Sequence, residues 1–404
     1  VDVTTDADQL ALAPGTLEGK RFSADSTRVT FQYAGTQPRT PFFSIVSGRY
    51  GVHRTRVGDV PVEVWYTPKH RVPAERVLTV TADALATLQQ QFGAYPHQIL
   101  RVVEVQSGNR FGAYAEAGAI YLTESRGILT DARDGDVDLL RRRIGHEVAH
   151  EWWGHLVSPL DVEGRLLLVE SVAKYAEQIL AARAGGDSAV LSMLAFDHDR
   201  YMRGRANEEP PLVRVTEDPT WYYAKGALAF RAARVVLGET VLGDALRAVL
   251  TEQAGPYGVA TAPDFVRQLH GAAPDSLRGL LDDWFAHTVL HEASADSASA
   301  TAVAGGTRLR AWFRVQRIAV THGEEVAAAA DDTPVRVTIT RARPADIGTS
   351  EITLSVRSRG GRIALDTVLP VPRAQLQAVE IDRDWFLLDR DRSNNRVSLQ
   401  PRRE

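Results

Sequence analysis

Apolar positions alternate in short runs along the first part of the chain. Arg28 to Tyr33, Phe42 to Val46 and Val60 to Thr67 are separated by Gly, Pro and Ser and predict strands. The period then changes. From Ala74 to Phe92, the residues Val77, Leu78, Leu85, Leu88 and Phe92 recur at helical spacing, and Gln98 to Val105 returns to a strand pattern that Ser107-Gly108 ends. Helical patterning covers Leu139 to Trp153, Leu166 to Ala184, Ala224 to Leu237, Leu242 to Thr251, Ala262 to Leu269 and Asp275 to Val289, punctuated by Gly-Gly, Pro-Pro and Gly-Pro. Beyond Ser297, the runs Leu309 to Val320, Val335 to Arg341, Ile352 to Arg357 and Ile363 to Val368 alternate or are β-branched, with Gly360-Gly361 as a hairpin candidate. This texture predicts an α+β protein in three segments: an N-terminal β region over 1–70, a mostly helical domain over 71–296, and an antiparallel β-sandwich over 297–404.

Composition narrows the function classes. The 404 residues are 44% hydrophobic and 24% charged, enough apolar material for sizeable cores and unlike a disordered chain. A formal net charge of −4 without a long basic block excludes a nucleic-acid footprint. No cysteine is present, so a transition metal must be held by His and carboxylate. No run approaches the ~18 consecutive apolar residues of a membrane span, and the chain as given is expected to be soluble. A start at Val1 rather than at methionine leads us to expect that something upstream was removed, either by processing or because this is a piece of a longer polypeptide.

The most specific chemistry lies in Ile144-Gly145-His146-Glu147-Val148-Ala149-His150-Glu151-Trp152-Trp153-Gly154-His155, on a helix with Asp136 or Asp138 as N-cap and Gly154 near its stop. Histidines at i and i+4 share one face and can reach one ion at ~2.0–2.1 Å, while Glu147 is placed to handle a metal-bound water. Leu140, Ile144 and Val148 form an apolar stripe on the other side, so one helix can face a core and a cleft. The metzincin pattern for a third ligand fails, because Trp153 and Leu156 stand where it needs Gly and His. A carboxylate from the next helix remains: Glu170 and Glu177 lie on one polar stripe, and Glu170, after the apolar Leu166 to Val169, is the candidate. His155 is ~140° further round the helix than His150 and is expected to be structural or cleft-lining, and Trp152 and Trp153 are expected in the core.

Three ordered motifs, His146-Glu147-x-x-His150-x-Trp152-x-Gly154, Glu170-x-x-Ala173-x-Tyr175-x-Glu177 and Tyr223-Ala224-Lys225-Gly226, resemble the gluzincin zinc aminopeptidases. Nineteen residues, Glu151 to Val169, separate His150 from Glu170, one more than is usual in that family. With Trp152-Trp153-Gly154-His155, Arg203-Gly204-Arg205 and the late Ile381-Asp382, Leu387-Leu388-Asp389-Arg390 and Asn394-Asn395 segments, the chain looks like the aminopeptidase-like domains fused to bacterial ABC-2-type transporter permeases.

The resemblance implies a thermolysin-like catalytic domain with one zinc ion on His146, His150 and Glu170, Glu147 as general base, and Tyr223 as oxyanion stabiliser, with Tyr222 its immediate rival. The implied reaction is zinc-dependent hydrolysis of peptide bonds, with release of N-terminal residues. The alternative is a silent peptide- or partner-binding accessory domain of a membrane transporter, in an extracytoplasmic location. The family's Gly-Ala-Met-Glu-Asn motif, whose glutamate holds the substrate amine, is matched by Gly112-Ala113-Tyr114-Ala115-Glu116. Ala115 stands at the glutamate position. Glu116 is one place on and faces the other side of an extended strand, and we expect a bulge before the edge strand to re-aim it onto the amine, with Gly112 and Ala115 completing the substrate-binding stretch.

Overall fold

The computed structural model describes residues 1–35, 43–108, 112–130, 137–159, 162–205, 208–253, 258–321, 323–342 and 349–399. Phe42, Asp136 and the Gly255-Pro256 punctuation lie outside them. The chain is α+β. It groups into two compact units, the first made of Val1–Phe196 and Thr240–Ala272, the second of Asp197–Glu239 and Ala273–Glu404.

The first unit begins with β1 (Asp2–Asp6), β2 (Leu10–Leu12), β3 (Thr16–Phe22), β4 (Arg28–Ala34) and β5 (Val46–Gly48), which make a three-stranded sheet ordered β1-β4-β3 and a β2-β5 pair. β6 (Gly51–Val57) and β7 (Val60–Tyr66) do not join them. They pair instead with β8 (Leu100–Val105), β9 (Ala113–Glu116) and β10 (Ala119–Thr123) in a five-stranded sheet ordered β6-β7-β8-β10-β9, so this sheet crosses residue 70. β7, β8 and β10 are parallel, whereas β6 and β9 are antiparallel to their neighbours at the two edges.

Alternation along these strands gives the sheet two apolar faces. The row Trp65, Val103, Tyr121 packs with Leu12, Val29, Phe31 and Tyr33 of the N-terminal strands. The opposite row, Val64, Val102, Ile120 and Ala115, faces the helical layer. That layer begins with α1 (Arg71–Phe92), whose Val77, Ala84, Leu85 and Leu88 are fully buried, and continues with α2 (Leu139–His150), a two-residue strand β11 (Ser158–Pro159) and α3 (Val172–Gly204). Gly145 allows α2 to approach α3 closely, because a Cβ there would lie 2.1 Å from Leu180 Cδ1.

Gly185-Gly186 interrupts the helical run as expected: at Gly186 φ is +68° and ψ is −164°, a non-helical conformation that only glycine adopts without strain, and a second helical stretch then runs on to Gly204. The stretch Leu167–Gly204 is long and apolar enough to cross a membrane by length and composition alone; Val172, Ala173, Tyr175 and Ala176 within it are fully buried in the first unit. α4 (Gly226–Leu237), in the second unit, and α5 (Glu239–Glu252) follow. β12 (Val259–Ala260) pairs with β11, α6 (Ala262–Ala272) completes the first unit, and α7 (Asp275–Phe285) belongs to the second.

Strand structure resumes earlier than Ser297, at Val289, because the apolar Val289-Leu290 run belongs to β13 (Val289–Val303) rather than to the end of α7. β14 (Gly306–Thr321), β15 (Glu324–Ala329), β16 (Pro334–Ala342), β17 (Thr349–Arg357), β18 (Arg362–Leu369), β19 (Leu376–Ile381) and β20 (Arg396–Ser398) complete two antiparallel sheets. One is ordered β13-β14-β15 with β18 also on β14; the other is β17-β16-β19-β20. Gly360-Gly361 is a tight turn between Arg359 and Arg362, but its flanking strands enter different sheets. The turn is held from outside, by Val315 N–H donating to the Gly361 carbonyl at 2.9 Å.

Candidate metal centre

Asp138 caps α2, its carboxylate accepting from Arg141 N–H at 3.0 Å; such a cap satisfies one of the helix's unpaired amides. The stripe Leu140, Ile144, Val148 is buried, which leaves His146 and His150 on the other side. Their rings meet edge-on with centroids 4.9 Å apart. Glu170 arrives from a π turn over Leu167–Ser171 that leads into α3. A π turn holds one residue more than an α turn, and such turns recur at functional sites. Glu170 Oε2 lies 3.1 Å from His146 Nε2 and 3.8 Å from His150 Nε2. Two ligands of one tetrahedral ion, each ~2.1 Å from it, stand about 3.4 Å apart, a value these distances bracket. The three residues can offer ligand atoms that all lie within 4.8 Å of one another.

The other ring nitrogens are also held. His146 Nδ1 lies 3.0 Å from Glu177 Oε1, and His150 Nδ1 lies 3.2 Å from the Trp153 carbonyl oxygen. Partners at Nδ1 keep the proton there and leave Nε2 for a metal. Glu177 is itself fixed by Lys174 Nζ at 2.8 Å and by Arg142. Its carboxyl sits well below the ordinary range, since Lys174, Arg142 and His146 outweigh its burial. The sequence reading set Glu177 aside as the weaker ligand candidate and missed its supporting role. The signal was there, because two helical turns separate Glu170 from Glu177 and put both toward one imidazole.

Electrostatics favour a cation at this place. Burial works against protonation of His146, yet the Glu170 and Glu177 hydrogen bonds lift it to about 10. Glu147 is buried, which pushes its carboxyl up to about 7 against the opposing pull of His146. His150 is lowered, chiefly by burial. A carboxyl near neutrality beside two imidazoles and a second carboxylate has the properties of a proton-transfer group.

Comparison with known proteins adds the lineage. The peptidase family M1 domain matches residues 76–284, just over half the chain. The chain belongs to peptidase family M1. It is 24% identical over 258 residues to aminopeptidase N of Streptomyces lividans, covering 59% of this chain and 30% of that protein. Aminopeptidase 2 of Candida albicans is 26% identical over 239 residues, 56% of this chain and 25% of its own length. Aminopeptidase N of Escherichia coli is 27% identical over 252 residues, with 57% and 28% covered. The chain therefore spans less than a third of the length of these M1 relatives.

The edge strand of the M1 domain departs from expectation. β9 and β10 pair in unbroken register from Ala113↔Leu122 to Glu116↔Ala119, with no bulge. Glu116 therefore shares the face of Tyr114 and Tyr121, turned toward the N-terminal strands. It is buried and accepts hydrogen bonds from Ser44 N–H at 3.0 Å and Ser44 Oγ–H at 2.6 Å. Ala115 occupies the face toward the helices. Gly112, at the start of β9, lies against Arg143 of α2: a Cβ there would meet Nε at 2.8 Å. The hairpin turn is tied to the metal helix, since Gly118 N–H donates to the buried Glu151 carboxylate at 2.8 Å.

The remaining residues have other surroundings. His155 is half-buried and its ring faces the Ala115 carbonyl. Trp152 and Trp153 are buried, each edge-on to Phe92 at 5.9 and 6.0 Å. Tyr223 belongs to the second unit, in a π turn over Thr220–Lys225, its ring 4.5 Å from that of Tyr222 and under the Arg200 guanidinium at 5.8 Å. Lys225 there is fully buried and paired with Glu209 at 2.8 Å.

Proposed function

We propose that the chain is a zinc-dependent peptidase with a thermolysin-like catalytic domain, which hydrolyses peptide bonds and releases N-terminal residues. The observation that carries this reading is the convergence of His146 Nε2, His150 Nε2 and Glu170 Oε2, with Nδ1 of each imidazole held by a second partner. Two nitrogens and one carboxylate oxygen are the donor set of a catalytic zinc site with a free position. Zinc bound there supplies Lewis acidity toward a scissile carbonyl and toward a water.

The chain's own residues supply the proton traffic. Glu147, raised to about 7 by burial, takes a proton during attack and returns it to the departing amine. Tyr223 is assigned to the oxyanion through its place in Tyr-x-Lys-Gly, where its hydroxyl donates to developing negative charge. The names of the M1 relatives support N-terminal release.

Glu147→Gln should keep zinc and lower turnover of a peptide panel by about 10²–10⁴-fold, the range for a lost general base. Metal content and initial rates measured on one preparation decide it. A variant that holds zinc and cuts as fast as the parent removes Glu147 from the chemistry.

A further inference from the structure

Glu151, the residue after His150, stands against the local rules of its place. Its carboxylate is fully buried. It caps the C-terminal end of α2, where the helix dipole disfavours negative charge. Its Oε1 makes no hydrogen bond among the described residues, so part of a buried carboxylate stands without a donor. Stability does not explain such a group, since a neutral acceptor would serve a single amide at a lower desolvation cost. Departures of this kind collect where a fold holds a functional geometry.

The other oxygen shows what is held. Oε2 accepts from Gly118 N–H at 2.8 Å and lies 3.0 Å from His97 Nε2. Gly118 turns the chain from β9 to β10, and His97 precedes β8, so Glu151 fastens the hairpin turn and the entry to the central strand to the end of the metal helix. β9 lies beside that helix, with Gly112 against Arg143 and the Ala115 carbonyl facing His155. Among the described strands it pairs only with β10. No second strand fixes where its free edge lies, and a free sheet edge is where an extended peptide adds.

We propose that Glu151 is a positioning residue, which sets the distance from the β9 edge to His150 and so the register of a bound peptide against the zinc. This role rests on the peptidase reading above. Glu151 is outside the donor set of His146, His150 and Glu170 and acts through the Gly118 amide. A bound chain displaced along or away from the metal by about an ångström loses on the order of 10²-fold in rate, so a single anchor at the turn has a large effect on chemistry.

In metal-free Glu151→Ala, amide hydrogens of the segment 113–122 should exchange about tenfold faster than in the parent, followed by mass spectrometry. With zinc restored, kcat on a peptide panel should fall about 10²-fold per bound ion while KM stays within about threefold. Glu151→Gln keeps an oxygen that accepts from Gly118 N–H, and it should return both exchange and kcat to within about threefold of the parent. Unchanged exchange in Glu151→Ala, a parental kcat per bound zinc, or a Glu151→Gln as slow as Glu151→Ala overturns the proposal. A parent that binds zinc and cuts no peptide is a different failure: it overturns the peptidase reading, and this role falls with it. If Glu151→Ala does not fold, Glu151→Asp decides, because its carboxylate stops one methylene short of Gly118. Its kcat should fall with zinc retained, and a parental kcat overturns the proposal.

Discussion

The metal helix and the edge hairpin pose the same problem and solve it in opposite ways. Each carries a motif residue whose use depends on which way it faces. On α2, spacing alone decides the direction, because residues four apart on a helix share a face, and His146 and His150 do meet around one point. On β9 adjacent residues face opposite sides, so a displacement of one position moves a carboxylate through the sheet. Glu116 lies among Ser44, Tyr114 and Tyr121. A helical motif fixes its geometry from within; a strand motif depends on the register of a partner far away in sequence.

The largest effect should come from the helical side. Glu170→Gln should lower zinc affinity by more than the about 10–100-fold expected for Glu177→Gln, which loses only the partner of His146 Nδ1. Competition with a chelator measures both. Equal losses would erase the distinction between ligand and support.

On the strand side, Glu116→Ala should cost about 1–3 kcal/mol in denaturant unfolding, since the Ser44 amide loses its acceptor. The ratio of cleavage rates for free-amine and acetylated peptides should not change. A selective loss with free-amine peptides would show Glu116 reaching substrate and would put the two motifs on equal terms. Ser44→Ala should be milder, about 0.5–1.5 kcal/mol, because its backbone N–H still donates to Glu116. A cost equal to that of Glu116→Ala would place the whole effect in the hydroxyl contact at 2.6 Å.

Much of the chain was legible at the level of elements. Val60 to Thr67 and Asp275 to Val289 foreshadow β7 and α7 to within a few residues, because each pattern is local. Local patterns said less about partnership. Nothing in Val60 to Thr67 shows that β7 leaves the N-terminal strands for the sheet of β8 and β10. Nothing around Gly360-Gly361 shows that a tight turn feeds two sheets. Gly185-Gly186 reads as a stop and Gly186 is one; what the pattern did not show is the second helical stretch that runs from there to Gly204.

Residue type and helical period are properties of a short segment, and they were enough to put His146 and His150 on one helix face with Glu147 beside the first and to leave Glu170 as the candidate from the next helix. Only the folded chain brings Glu170 and Glu177 to the two nitrogens of His146 and turns Glu116 toward Ser44, so the tertiary structure settled these contacts. It also decided that Glu151 meets the Gly118 amide at the hairpin turn. Those contacts join residues from separate elements. Their closeness is set by sheet register and helix packing, which depend on the sum of many burials and not on any one stretch of chain.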